Sequence, residues 1–302
     1  GMTAQGHDER TAKLLIFLVP ALWAVNYVVA RKAPGVIDPH TLALCRWAIA
    51  GLILAWFSRH ELWRQRRAIL TDWPQYLVLG TLGMLICGAW VYIAGRSTTA
   101  VNIALIYSAS PVLIMIASGI WLHERMSRLQ VVGVCFAVLG VFHVVVKGQW
   151  TALGQIQFAA GDMWIVAATI SWALYAVLMK KWPNDLSATA RLAVTCAGGV
   201  VVLVPFALAE QISPLSPQWS YAAAGLVLAA AIFPGVGAYL AYSYAQKILG
   251  ASRVAVSLYL GPLYGALAAW WLLDEHLQAF HLIGALFIFP GILLATQHRR
   301  PR

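Results

Sequence analysis

Residues 102–146 read NIALIYSASPVLIMIASGIWLHERMSRLQVVGVCFAVLGVFHVVV: an apolar run, a short polar hinge at His123-Glu124-Arg125, and a second apolar run. Moved by 151 positions, the stretch lies over residues 253–297 without a gap. Pro111 falls on Pro262, Leu122 on Leu273, Glu124 on Glu275, Gly133 on Gly284, Phe136 on Phe287 and Gly140 on Gly291. Alanines and leucines coincide in any two apolar helix pairs. A proline, a glutamate and two glycines in register do not, so the chain carries an internal duplication.

Working outward, hydrophobic residues make up 61% of the 302 and charged residues 11%. A soluble domain carries roughly 25% charged residues, and so large an apolar excess has no interior to hide in. The chain is read as an integral membrane protein. Its net charge of +10 sits on short connections between apolar runs, where Lys and Arg act as topology determinants rather than as a nucleic-acid surface. Cys45, Cys87, Cys135 and Cys196 all lie in apolar runs without CxxC spacing, which points to packing rather than metal or disulfide. Gly1 ahead of Met2 reads as an added residue. No small-residue cleavage site follows the first apolar run, so no signal peptide is expected.

A bilayer core of about 30 Å is crossed by about 20 apolar helical residues. Runs of that kind cover 14–30, 39–58 (interrupted by Arg46), 73–95, 97–122 and 129–146, then 163–179, 192–209, 219–244, 254–273 and 277–298. With the N-terminus inside, the inner segments hold 15 Lys and Arg and the outer ones 4, so both termini are expected in the cytoplasm. Ten transmembrane helices divide into repeats at 13–147 and 159–297. Five helices per copy is an odd number, so the second copy enters from the opposite face. Inverted repeats of this kind belong to alternating-access carriers.

The Pro111…Glu124…Gly133…Gly140 series and its copy, with Trp23 and Trp172 early in each half, resemble the drug/metabolite transporter superfamily in its ten-helix, two-EamA-repeat branch. Within that branch the chain looks most like YddG-type exporters of aromatic amino acids. The resemblance implies an all-α inner-membrane carrier with a central cavity between helices 1, 3, 4, 6, 8 and 9, and helices 5 and 10 at the periphery.

No GxSxG, HExxH or Walker-type loop is present, so neither catalysis nor a cofactor is expected. The polar content of the spans is where function is sought, because polar groups in a bilayer need partners or water. Arg46 has two readings: snorkelling to the outer headgroups, or attracting a substrate carboxylate within the cavity. Glu124 and Glu275, at equivalent hinges, either end one helix and cap the next or act in gating or coupling. Asp162 reads as an N-cap. Pro111 and Pro262 are expected to kink their helices.

The aromatics carry most information, since mid-span Tyr and Trp bring an O–H or N–H that needs a partner. Trp164, Trp172 and Tyr175 share a face of helix 6, Trp23 and Tyr27 flank Asn26 in helix 1, and Tyr239 and Tyr242 share a face of helix 8. With Trp90, Asn102, Tyr107 and Tyr259 they form the expected cavity lining; the alternative is a lipid-facing aromatic belt. The expected partners are the bilayer and a small-molecule substrate, an amino acid or similar, and oligomeric state is left open. The expected function is export of aromatic and other apolar amino acids, with other neutral metabolites or amphipathic drugs as the alternative.

Overall fold

The computed structural model describes residues 4–123, 125–151, 159–249 and 260–295, and every regular element among them is a helix. The first half holds α1 (Ala4–Lys32), α2 (Pro39–Phe57), α3 (Trp73–Ala94), α4 (Ala100–Trp121) and α5 (Arg128–Val145). The second holds α6 (Ala160–Lys181), α7 (Ala188–Gln211), α8 (Tyr221–Ala245), α9 (Gly261–Leu273) and α10 (Ala279–Ala295). Eight of these, α1 to α8, are long and apolar enough to cross a membrane, and Ala279–Leu294 in α10 is a shorter apolar helix.

Polar residues start the helices where the apolar runs begin. Thr99, Ser127, Ser187 and Ser220 each accept a backbone N–H of their own first turn, and Ser127 forms a reciprocal capping box with Gln130. Connections gather at two ends of the bundle. At one end, Arg31 donates to the Gly95 carbonyl (2.7 Å), Arg96 meets Asp38 (3.8 Å) and Ser216 bonds Asp38. At the other, which holds the N-terminus, Tyr244 meets Asp8, and Ser187 donates its N–H and hydroxyl to Glu61. Those hydrogen bonds, the side-chain one foremost, hold the Glu61 carboxyl below the usual range.

The duplication extends to backbone geometry. α3 contains a π-helical turn at Thr81–Ile86 and α8 one at Ile232–Gly237, each 151 residues from the other. α4 breaks at Ala109 (φ −78°, ψ −2°), just before Pro111, whose missing N–H leaves the α-helical ladder open. Its counterpart Leu260 (φ −80°, ψ −15°) leads into α9 two residues before Pro262. His123 (φ 54°) and Asp274 (φ 53°) make the same left-handed hinge step.

Packing follows the same exchange. α1 lies on α8 and α9, while α6 lies on α3 and α4; α2 pairs with α7, α4 with α9, and α5 with α10. Swapping the halves maps this pattern onto itself. On the α5–α10 seam the equivalent residues Phe136 and Phe287 meet ring to ring at 5.8 Å. The duplicated glycines form the rest of the seam. A Cβ on Gly140 would stand 2.7 Å from the Gly284 carbonyl, and one on Gly291 2.6 Å from the Ala137 amide. Only glycine permits backbones this close.

Gly140→Leu and Gly291→Leu are therefore expected to destabilise the fold by about 1–3 kcal/mol through overpacking, seen as a lower unfolding temperature of the purified protein. Gly225→Ala is the control, since nothing lies within 4 Å of a Cβ there. A wild-type transition for either seam variant would contradict the close approach.

Candidate functional site

Mid-bundle, the end of the α3 π turn presents Cys87. Its Sγ lies 2.6 Å from the Tyr107 hydroxyl. Tyr27, Tyr92, Tyr107 and Tyr239 belong to the same packed cluster, so α1, α3, α4 and α8 each bring a phenol to the centre of the bundle, and Tyr175 of α6 lies against Gly83 in the α3 turn. Arg46 joins them from α2. It is 4% exposed, donates from Nε to the Ala230 carbonyl (3.0 Å) and from a terminal nitrogen to the Tyr92 hydroxyl (3.3 Å), and stacks over Trp47 at 4.2 Å. Tyr92 in turn donates its hydroxyl to Asn26 Oδ1 (2.7 Å).

The π turns explain why a cation is held here. A π turn interrupts the i→i−4 ladder and alters which carbonyls are satisfied within the helix. Ala230, next to the α8 turn, receives Arg46; Leu82, inside the α3 turn, receives the Ser171 hydroxyl at 2.6 Å. Each half thus supplies a side chain to the other half's distorted helix. Arg46 does not snorkel, because the face of α2 that bears it packs on α8 and offers this carbonyl inside the bundle. Among the described residues the ion pairs all involve other side chains, and no carboxylate pairs with Arg46.

Aromatic walls flank the focus. Trp23 packs against Tyr239 (6.2 Å) and Tyr242 (5.6 Å), and Trp47 against Tyr239 (6.3 Å). One turn from Cys87, Trp90 meets Trp164 edge to face at 4.9 Å. Of the sequence-predicted residues, Trp23, Asn26, Tyr27, Trp90, Tyr107, Trp164, Tyr175, Tyr239 and Tyr242 are thus gathered on or beside the focus. Trp172 stacks on Tyr175 at 5.1 Å and sits among Leu79, Leu82 and Leu178 at the margin. Trp23 and Trp172 do not face each other: each packs on its own neighbouring helix. Glu124 and Tyr259 lie outside the described residues. Sequence reasoning passed over Tyr92, Trp47 and Cys87, which look like ordinary span residues until the π turn brings them together.

Asn102 belongs to a second polar cluster, at the end of the bundle away from the N-terminus. There a vestibule of about 590 Å³ is lined by Arg31, Arg96, Thr98, Asn102, Lys147, Glu275 and His281, among others. Asp162 is not an N-cap. Ala159 holds that position, and the Asp162 side chain instead accepts from Thr98 and Asn102 on α4. Glu275 caps a helix, but not the one that follows it: it accepts the Ala100 and Val101 amides at the start of α4 (3.0 and 3.3 Å) and pairs with Arg31 at 3.3 Å. A separate groove of about 460 Å³ between α1 and α9, lined by Ala21, Val25, Leu267 and Trp271, is apolar.

With this geometry in view, the model of the EamA-like transporter family matches residues 10–146 and 159–297. The chain is similar over 90% of its length to the uncharacterized transporter YyaM of Bacillus subtilis, at 25% identity and with 88% of that protein covered. An uncharacterized transporter of Archaeoglobus fulgidus is 29% identical over 95% of this chain and 98% of its own. A protein of Salmonella typhimurium named "Probable amino-acid metabolite efflux pump" is 23% identical, with 95% of each chain covered. A solved crystal structure of a protein shares the fold at a TM-score of 0.61 and 19% identity, covering 95% of this chain and 96% of that one.

The Glu275 carboxylate both satisfies free amides at a helix N-terminus and offsets their positive field. Glu275→Ala is expected to cost about 0.5–2 kcal/mol, and Glu275→Gln less, since its amide oxygen still accepts. Thermal unfolding of the purified variants, ranked wild type, Gln, Ala, checks this; equal stability of all three would contradict it.

Proposed function

Because the chain belongs to the EamA-like transporter family, we propose that this multi-pass membrane protein is an alternating-access carrier of the cell's inner membrane that exports aromatic and other apolar amino acids, in the manner of YddG-type exporters. In this reading ten helices cross the bilayer as two inverted repeats, 13–147 and 159–297. Both termini are cytoplasmic, so the vestibule lined by Arg31 and Lys147 faces outward. The lysine and arginine bias of the connections supports that orientation.

The observation that carries the reading is Arg46, a buried cation with aromatic walls around it and no carboxylate paired to it among the described residues. An arginine at bilayer depth costs about 2.5–3.5 kcal/mol on insertion scales, and a substrate carboxylate would offset that through charge-assisted hydrogen bonds. Asn26 and the tyrosine hydroxyls supply polar contacts for the remaining head-group atoms. Trp23, Tyr239 and Tyr242 on one side, and Trp90 with Trp164 on the other, suit an indole or phenyl ring, each ring pair adding about 0.5–1.5 kcal/mol. The name of the Salmonella relative agrees with an amino-acid metabolite. The alternative, a carrier of other neutral metabolites or amphipathic drugs, draws on the same walls, but Arg46 disfavours cationic drugs.

Uptake into liposomes containing the purified protein tests the proposal. Arg46→Gln is expected to lower phenylalanine and tryptophan flux at least about tenfold, the loss of one hydrogen-bonded charge, while Trp23→Ala lowers tryptophan flux several-fold more than threonine flux. Unchanged phenylalanine flux in Arg46→Gln would overturn the carboxylate role. A cationic dye that competes better than tryptophan would favour the drug reading.

A further inference from the structure

At the outward end, α4 is tied to α6 and α10 by one continuous hydrogen-bonded chain. The Gln278 amide donates to His281 Nδ1 (3.0 Å), His281 Nε2 meets Asn102 Oδ1 (2.6 Å), and Asn102 Nδ2 donates to Asp162 (3.2 Å). Thr98 gives its hydroxyl proton to the same carboxylate. Directionality follows from the first link. Nδ1 accepts, so the proton of a neutral imidazole is on Nε2, Asn102 turns its oxygen to His281, and its NH2 points at Asp162. His281 is 4% exposed and Asp162 fully buried.

We propose that Asp162 and His281, joined through Asn102, form a proton-binding site that opens the outward vestibule when it is loaded.

The chain is complete only when Asp162 is ionised and His281 neutral. A proton on His281 turns Nδ1 into a second donor facing the Gln278 N–H, and that link breaks. A proton on Asp162 leaves one carboxyl oxygen to accept from both the Asn102 NH2 and the Thr98 hydroxyl, and the Asn102 contact with the other oxygen is lost. The first event frees the start of α10, which holds His281 against α4, and the second weakens the hold of α6 on α4. Both groups therefore favour the tied arrangement at higher pH, and acid favours its release. The route for the proton is short, because Thr98, Asn102 and His281 line the vestibule. The other charged or titratable groups facing this site are accounted for. Arg31 on α1 is paired with Glu275, Arg96 beyond α3 with Asp38, Lys147 beyond α5 and His276 in the hinge before α10 line the vestibule, and His143 on α5 accepts from Trp150.

The site stands on this geometry; only its use in export, where outside acid would speed release, rests on the proposed function. The test accordingly needs no substrate. Hydrogen–deuterium exchange of the full-length protein, corrected for intrinsic rate, is followed at residues 97–103 and 276–283 between about pH 8 and about pH 5. Wild type is expected to lose protection several-fold on acidification. His281→Gln and Asp162→Asn each reduce the response, and the double variant abolishes it while keeping wild-type protection in α2 and α7. Glu275→Gln, which removes another carboxylate at this end, retains the response. Equal protection of wild type at both pH values, a full response in the double variant, or loss of the response in Glu275→Gln each overturns the proposal. Should Asp162→Asn fail to fold, His281→Gln alone decides, and an undiminished response there is fatal. Failure to transport amino acids with the acid response intact would sink the transport reading and leave the site standing.

Discussion

In hydrocarbon a backbone carbonyl without a donor costs several kcal/mol, and no water is at hand to supply one. The two π turns put this constraint at the centre of the protein. Each disturbs the ladder of its own helix, and each borrows a side chain from the opposite half: Arg46 for Ala230 and Ser171 for Leu82. The halves are thereby joined where the helices are least regular. Tyr92, Cys87 and Tyr239 take their places around that junction, and the aromatic walls close on it.

Regular, buried structure with little freedom surrounds this junction, and the tying residues lie at its ends. Glu275 holds the start of α4 from the hinge before α10, and the Asp162–Asn102–His281 chain holds the same segment from two further helices. α4 is thus held by several polar attachments at its vestibule end, and it is also the helix broken at Ala109. A break with ties on one side of it lets one half of a helix respond while the other keeps its packing.

How much of this was legible depended on the kind of interaction. The repeat, the break before Pro111 and the glycine seam were readable because proline and glycine act through local backbone sterics, which a sequence states outright. The mid-span tyrosines were readable because their hydroxyls need partners. The π turns were not: they arise from how whole helices settle against each other, and no residue in Thr81–Ile86 announces one. Arg46 was visible but its direction was not, since the carbonyl that receives it lies 184 residues away. His281 and Asp162 each looked unremarkable alone, and their meaning comes from Asn102 standing between them. Trp172 keeps its expected face of α6, where its ring stacks on Tyr175.

The scaffold is close to two-fold, yet Arg46 has no counterpart. α7, the mate of α2, carries no lysine or arginine beyond Arg191 in its first turn. Arg46 also stands seven residues from the Pro39 end of α2 and eleven from the Phe57 end, at depths of about 10 and about 16 Å. A symmetrical frame holding one off-centre charge is a vectorial object. A bound molecule with an acidic end and an apolar end would meet it in one orientation only, acid toward Arg46 and so nearer the Pro39 end of α2. Matching halves in the frame do not make its two ends equivalent for such a molecule.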